Sequence, residues 1–183
     1  MNTIWARTAG VQDDFTTPAA LHDWLVAVDH RYAARAIGEP RPDELAEAKL
    51  LRDSLRRLAA FCTDDSRPAA QSPVGGVDDA LAAVNRAITH LPHAQVVIRE
   101  GRLHRDRTAP TSPTRVAMAE LAQDSIDLLT GPGATKLRAC QAPGCVLYFV
   151  RSHPRREWCS ETCGNRARAA RHYRRIRAAR NEN

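Results

Sequence analysis

Cys140-Gln141-Ala142-Pro143-Gly144-Cys145, then thirteen residues, then Cys159-Ser160-Glu161-Thr162-Cys163-Gly164-Asn165-Arg166: this stretch decides how the chain is read. Four of the five cysteines fall within 24 residues as two pairs, with four and three residues between their members. Each short loop can aim two thiolates at one metal, so Cys140, Cys145, Cys159 and Cys163 are expected to hold one tetrahedral Zn2+. Pro143-Gly144 supplies the tight turn that returns Cys145 to Cys140, with glycine free to take positive φ. Leu147–Val150 and Arg155–Trp158, separated by Ser152-His153-Pro154, are expected to pair as a small hairpin. Ser160 reads as a helix N-cap that places Cys163 in the first turn, where the helix dipole favours a thiolate. Knuckle, hairpin and helix sharing one zinc describe a treble-clef-like finger. Four thiolates leave no position for water, so the site is structural and catalysis at the metal is not expected. Disulfides would need an oxidising compartment, and nothing at the N-terminus reads as a signal peptide.

Outside this stretch, 183 residues with 43% hydrophobic content allow one ordinary domain plus a small module. No apolar run reaches the length of a membrane span, so a soluble, cytoplasmic protein is expected. Arg outnumbers Lys 25 to 2, a bias that fits a GC-rich bacterial genome as well as nucleic-acid binding. Distribution therefore says more than the total. Residues 136–183 carry a net +9 and residues 1–135 a net −3. A zinc ion on four thiolates would lower the first figure by two. Such asymmetry is the footprint of a nucleic-acid-binding module joined to a neutral-to-acidic domain.

Arg166, Arg168, Arg171, Arg174, Arg175, Arg177 and Arg180 follow the last cysteine. At about 100° per residue, Arg166, Arg174, Arg177 and Arg180 share one face and Arg168, Arg171 and Arg175 the opposite one. Ala169, Tyr173 and Ile176 form a narrow apolar strip that could dock on the finger or on a partner. Asn165 and Arg166 can read adenine and guanine by paired hydrogen bonds in a major groove. Arg168, Arg171, Arg174, Arg175 and Arg177, with Arg151, Arg155 and Arg156 before the helix, are expected to grip phosphates. A structural role for Asn165, tying the helix start to the knuckle, stays open beside the reading role.

Taken in order, the rest of the chain is α-rich. Thr17-Pro18 starts a helix with Leu21, Trp24, Leu25 and Val28 at helical spacing, ended by Gly38 and Pro40; His22 and His30 fall on other, solvated faces. A helix from Pro42 carries a core stripe of Leu51, Leu55, Leu58, Ala59 and Cys62, with Arg52, Arg56 and Arg57 on its remaining faces. Asp64–Gly76 reads as a mobile polar loop, its acidic pair Asp64-Asp65 as solvated. Leu81, Val84, Ile88 and Leu91 mark a third helix. Glu100-Gly101 is a two-residue hairpin turn between Gln95–Arg99 and Arg102–Asp106. Arg115–Leu129 is the last helix, broken by Gly131-Pro132-Gly133. A short strand around Thr3–Ala6 is the only element read before Asp14. No phosphate loop, triad pattern or paired-carboxylate signature is present, so an enzyme is not expected.

Cys163-Gly164-Asn165-Arg166, with Trp158-Cys159-Ser160 and the basic helix, resembles the CGNR zinc-finger proteins. More weakly, Asn2-Thr3, Leu21-His22-Asp23-Trp24-Leu25, Leu51-Arg52 and Val84-Asn85 resemble that family's usual N-terminal partner, a stress-induced transcription regulator domain. Members carry an apolar strand before the Asn-Thr pair; either this chain lacks it or its start lies further upstream. The resemblance implies transcription regulation, where charge and cysteine spacing alone imply nucleic-acid binding.

The expected architecture is α+β and mostly α. Residues 1–133 form a helical domain with one hairpin, and residues 134–183 a four-cysteine zinc finger with an Arg-rich helix. The expected function is a bacterial, nucleoid-associated regulator that binds specific double-stranded DNA, its helical domain sensing a small-molecule effector, forming a homodimer, or both. Two rivals remain: an RNA- or ribosome-associated protein, and an enzyme or interaction scaffold with the finger as a stabilising appendix.

Overall fold

The computed structural model describes residues 2–7, 10–28, 37–108 and 111–181. Strands β1 (Ile4–Arg7) and β2 (Gly10–Asp13) form an antiparallel hairpin in which Ile4 faces Asp13, so the single strand read near Thr3 is half of a pair. Helix α1 (Pro18–Val28) starts at Thr17, whose Oγ1 accepts the Ala20 N–H at 3.1 Å. Leu21 and Leu25 are fully buried, as their spacing requires. The expected extension of this helix toward Gly38, with His30, lies outside the described residues. His22 is less solvated than expected: its Nε2 lies 3.1 Å from the Ile37 carbonyl oxygen.

The centre of the fold is α2 (Pro42–Cys62), packed against α1, α3 (Val77–Ile88) and α4 (Pro113–Thr130). Leu51, Leu55 and Leu58 join Phe15, Leu21, Leu25, Val84 and Met118 in its core. Glu44, buried at 2% exposure, ties two helix starts together. It accepts the Arg41 N–H at 2.7 Å and a hydrogen bond from the Ser112 hydroxyl that opens α4. Being surrounded, α2 buries more than its leucine stripe. Arg52 and Arg56, on its other faces, are only 3% and 5% exposed. Arg52 is neutralised by Asp53 at 2.9 Å and by Asp13 of β2 at 2.5 Å. Conversely Cys62, read as a core residue, is exposed, because it is the last residue of α2.

The stretch from Asp64 to Gly76 is pinned, not loose. Ala70 and Val74 are buried, the Ser72 hydroxyl donates to Asp53 O at 2.9 Å, and the Asp65 side chain is 1% exposed. Strands β3 (His93–Arg99) and β4 (Arg102–Thr108) pair in the expected register about Glu100 and Gly101, with φ of 53° and 72°. Both turn residues thus adopt the left-handed conformation that a two-residue hairpin loop demands.

Past α4 the chain forms β5 (Leu137–Ala139), β6 (Tyr148–Val150) and the long α5 (Glu161–Asn181). Strand β6 pairs antiparallel with β5, Ala139 facing Tyr148. The hairpin expected between Leu147–Val150 and Arg155–Trp158 is therefore replaced by one that flanks the first cysteine pair. Ser152–Trp158 is a turn, closed by the Arg156 N–H on His153 O at 2.9 Å and containing Pro154, which has no N–H to give a ladder. Ala59, Ala60, Ala70, Leu137 and Tyr148 form an apolar seam that joins α2 to the β5–β6 hairpin. None of the described helices is long and apolar enough to cross a membrane.

Candidate metal centre and basic helix

Strands β5 and β6 close around the knuckle through the Cys140 N–H, which donates to Leu147 O at 3.0 Å. The Cys145 N–H donates to Ala142 O at 2.9 Å, and Gly144 takes φ 72°, the positive value foreseen for this turn. The second cysteine pair arrives on the start of α5. Ser160 caps it, its Oγ accepting the Cys163 N–H at 3.2 Å. All four Sγ atoms lie within 4.8 Å of one another, with Cys145 to Cys159 at 3.8 Å and Cys159 to Cys163 at 3.4 Å. Tetrahedral zinc with Zn–S bonds of about 2.3 Å sets its sulfurs about 3.8 Å apart. The donor set fits one closed, structural zinc ion.

Without a metal, the clustered thiols do not ionise alike. Burial, with the neighbouring cysteines, pushes the Cys145 thiol up to about 11 and the Cys159 thiol higher still. At Cys163 burial acts in the same direction but is outweighed by hydrogen bonding with Ser160 and the other thiols, so its pKa falls. A metal ion bound by four such sulfurs would hold them all as thiolates. The Cys159 N–H, 3.5 Å from Cys140 Sγ, and Arg166 Nη2, 3.2 Å from Cys163 Sγ, aim further positive charge at the cluster.

The knuckle is also gripped from outside the finger. Arg67 Nη1 donates to both Cys140 O at 2.5 Å and Cys145 O at 3.0 Å, while its Nε and Nη2 rest on Asp65. Tyr148 donates its hydroxyl to the same Asp65 carboxylate at 3.0 Å. Arg56 Nη2 donates to Val146 O at 3.0 Å, and Asn2 Nδ2 donates to Tyr148 O at 2.8 Å. In the sequence Arg56 falls outside the leucine stripe of α2, Asp65 falls in a stretch that reads as a mobile loop, and Arg67 carries no signal. Partners 73 to 90 positions away carry no local signal.

Of the residues expected to contact nucleic acid, several hold the finger itself. Arg156 donates to Trp158 O, Cys159 O and Ser152 Oγ and lies over the Phe149 ring. Asn165 Oδ1 accepts from Arg168 Nη2 one turn along, rather than from the knuckle. Arg171 covers the Trp158 ring at 5.9 Å. Arg151 is half-buried and Arg155 exposed. From Arg171 onward every described side chain of α5 is exposed, so Arg174, Arg175, Arg177 and Arg180 stand on a helix that leaves the body. Tyr173 and Ile176 are exposed as well, and with Ala169 they do not dock on the finger.

Residues 136–176 match the CGNR zinc finger model, and residues 1–132 match the family described as "Putative stress-induced transcription regulator". The chain belongs to this family. No curated protein is detectably similar to it in sequence. Each residue of the name-giving tetrapeptide has a place here. Cys163 joins the four-sulfur cluster, Gly164 gives room to Trp158, Asn165 pairs with Arg168, and Arg166 reaches the Cys163 sulfur.

Proposed function

We propose that this family member binds specific double-stranded DNA through the basic half of α5, which its zinc centre holds in a fixed direction. The observation that carries the reading is that helix itself. Cys163 anchors its first turn, and five arginines, at 171, 174, 175, 177 and 180, lie on its exposed part. A helix charged nearly all round gains little from packing, whereas a polyanion relieves the mutual repulsion of its arginines. Its 21 residues span about 31 Å at 1.5 Å each, enough to lie across a major groove. Cys140, Cys145, Cys159 and Cys163 serve as the zinc ligands; Arg174, Arg175 and Arg177 grip phosphates. Arg156, Arg166 and Arg168 combine any DNA contact with holding the finger. The helical part, residues 1–133, acts as the sensing or dimerising domain, and the protein works in the cytoplasm on the nucleoid.

Duplex binding at a series of salt concentrations tests this. Arg174→Ala with Arg175→Ala should weaken binding to all sequences and flatten the slope of log K against log salt by about two. An unchanged slope would remove these arginines from the interface.

A further inference from the structure

The β3–β4 ribbon has no core of its own. No described residue of either strand is buried, and Val96, Ile98 and Leu103 stand 72%, 73% and 74% exposed. Ile98 pairs with Leu103, and Val96 lies two residues from Ile98, so these side chains share one face. A lone two-stranded hairpin is marginal in water and gains stability from further strands. We propose that the free edge of β3 pairs with the same edge of a second copy, antiparallel across a two-fold axis at Val96, and that this is the dimer interface. The proposal deepens the dimerising role given above to residues 1–133 and rests on it.

Turn geometry decides which backbone groups are open. Glu100 and Gly101, both at positive φ, form a two-residue turn, so Arg99 and Arg102 exchange both of their hydrogen bonds. Alternation along the ladder then turns the N–H and C=O of Ala94, Val96 and Ile98 outward on β3, and those of Leu103, Arg105 and Arg107 outward on β4. With Val96 facing itself across the axis, Ala94 faces Ile98 of the second copy, and each outward group on β3 finds a partner. A pair of two-stranded sheets becomes one of four strands.

Charge selects a second copy on this edge. From Ala94 to Ile98, β3 carries neither a charge nor a proline, the devices that blunt a sheet edge. Strand β4 carries Arg102, Arg105 and Arg107, so the same pairing through β4 would set arginines against arginines. Pairing through β3 keeps them on the outer strands. Arg99, which would face His93 of the second copy, is neutralised by Asp106 at 2.6 Å. The register also brings Glu100 of one copy opposite Pro92 of the other, whose carbonyl oxygen lies 3.5 Å from Arg107 Nη2. Opposite charges therefore meet at both ends of the pairing. On the shared face Val96 stands beside Val96, and Ile98, with Leu103 at its side, meets Ala94; the stems of Arg105 and Arg107 form the rim. A symmetric pair presents two basic helices, which fits a palindromic duplex site.

Sedimentation of the zinc-loaded chain without DNA tests this, together with residue-resolved amide exchange by NMR above and below the dissociation constant. The chain should reach twice its 20.2 kDa. On dimerisation the amides of Ala94, Val96 and Ile98 should slow by about tenfold or more, and those of Leu103, Arg105 and Arg107 should not. Val96→Pro removes one outward N–H, and Val96→Lys sets two cations face to face on the axis. Each should weaken the dimer about tenfold or more. Arg105→Pro makes the matching change on the β4 edge and should leave the dimer intact. If the Val96 variants do not fold, the exchange pattern of the parent decides. A dimer that survives both Val96 variants, or protection at β4 in place of β3, overturns this interface and leaves the dimerising role standing. A chain that stays monomeric at NMR concentrations overturns both; protection of the β3 amides only on adding duplex would then give the ribbon to DNA.

Discussion

At Gly164 the indole of Trp158 crosses the first turn of α5 so closely that a Cβ there would meet Trp158 Cδ1 at 3.1 Å and Arg168 Nη1 at 3.3 Å. Two effects of similar size compete. Alanine gains about 1 kcal/mol of helix propensity over glycine, and crowding a packed contact costs about 1–3 kcal/mol. Gly164→Ala should therefore change stability by less than about 2 kcal/mol. Gly164→Val adds bulk without that propensity gain and should displace the indole, seen as a shift in tryptophan emission; unchanged emission would show that Trp158 does not rest there. Cys159→Ser should drop bound zinc from one equivalent to none by elemental analysis, leaving the helical core cooperative in urea. Arg166→Ala should weaken zinc retention as well as DNA binding, because its guanidinium donates to Cys163 Sγ. The four-cysteine cluster is legible in the sequence because both pairs are local. The roles of Arg56 and Arg67 are not, because a buried arginine with a distant partner looks in sequence like a solvated one.

Among the elements, the stretch after α2 departs most from its sequence. Its Pro, Gly, Ser and Asp content reads as a mobile linker, yet Asp65 and Arg67 make it the bracket between helical core and knuckle. Removing such an outer support characteristically weakens metal binding, so Arg67→Met should lower zinc affinity about tenfold to a hundredfold in a chelator competition. An affinity within about twofold of the parent would make the bracket incidental. The Arg67 hydrogen bond, opposed by burial and helped by Tyr148, holds the Asp65 carboxyl below its ordinary pKa of 3.8. A depressed carboxylate contributes stability that is complete above the ordinary value and is lost as pH falls through the lowered one. Asp65→Asn should thus flatten the acid limb of a urea-stability profile below about pH 4, and an identical limb would contradict the assignment. Hairpins show the opposite balance of legibility. Glu100-Gly101 announces β3–β4 through turn chemistry, whereas β5 is only three residues long and leaves no pattern, so the sequence reading gives β6 the wrong partner.

Over the whole molecule, a net-negative helical part and a net-positive finger are joined by an apolar seam and, among the described residues, by hydrogen bonds of the side chains of Asn2, Arg56, Asp65 and Arg67 outside the finger. That union gives the exposed basic half of α5 a defined direction, which sequence-specific binding needs and a free Arg-rich tail lacks. The helical class, the finger and the charge asymmetry are all readable from sequence; the seam is not, since it depends on contacts between residues far apart in the chain. Capture of sheared genomic DNA by the zinc-loaded protein at near-physiological salt tests the central claim, with Arg174→Ala/Arg175→Ala as the comparison. A few sharp sites upstream of genes, lost in the variant, are expected. Uniform retention that fades with added salt, equal for the two proteins, would contradict it.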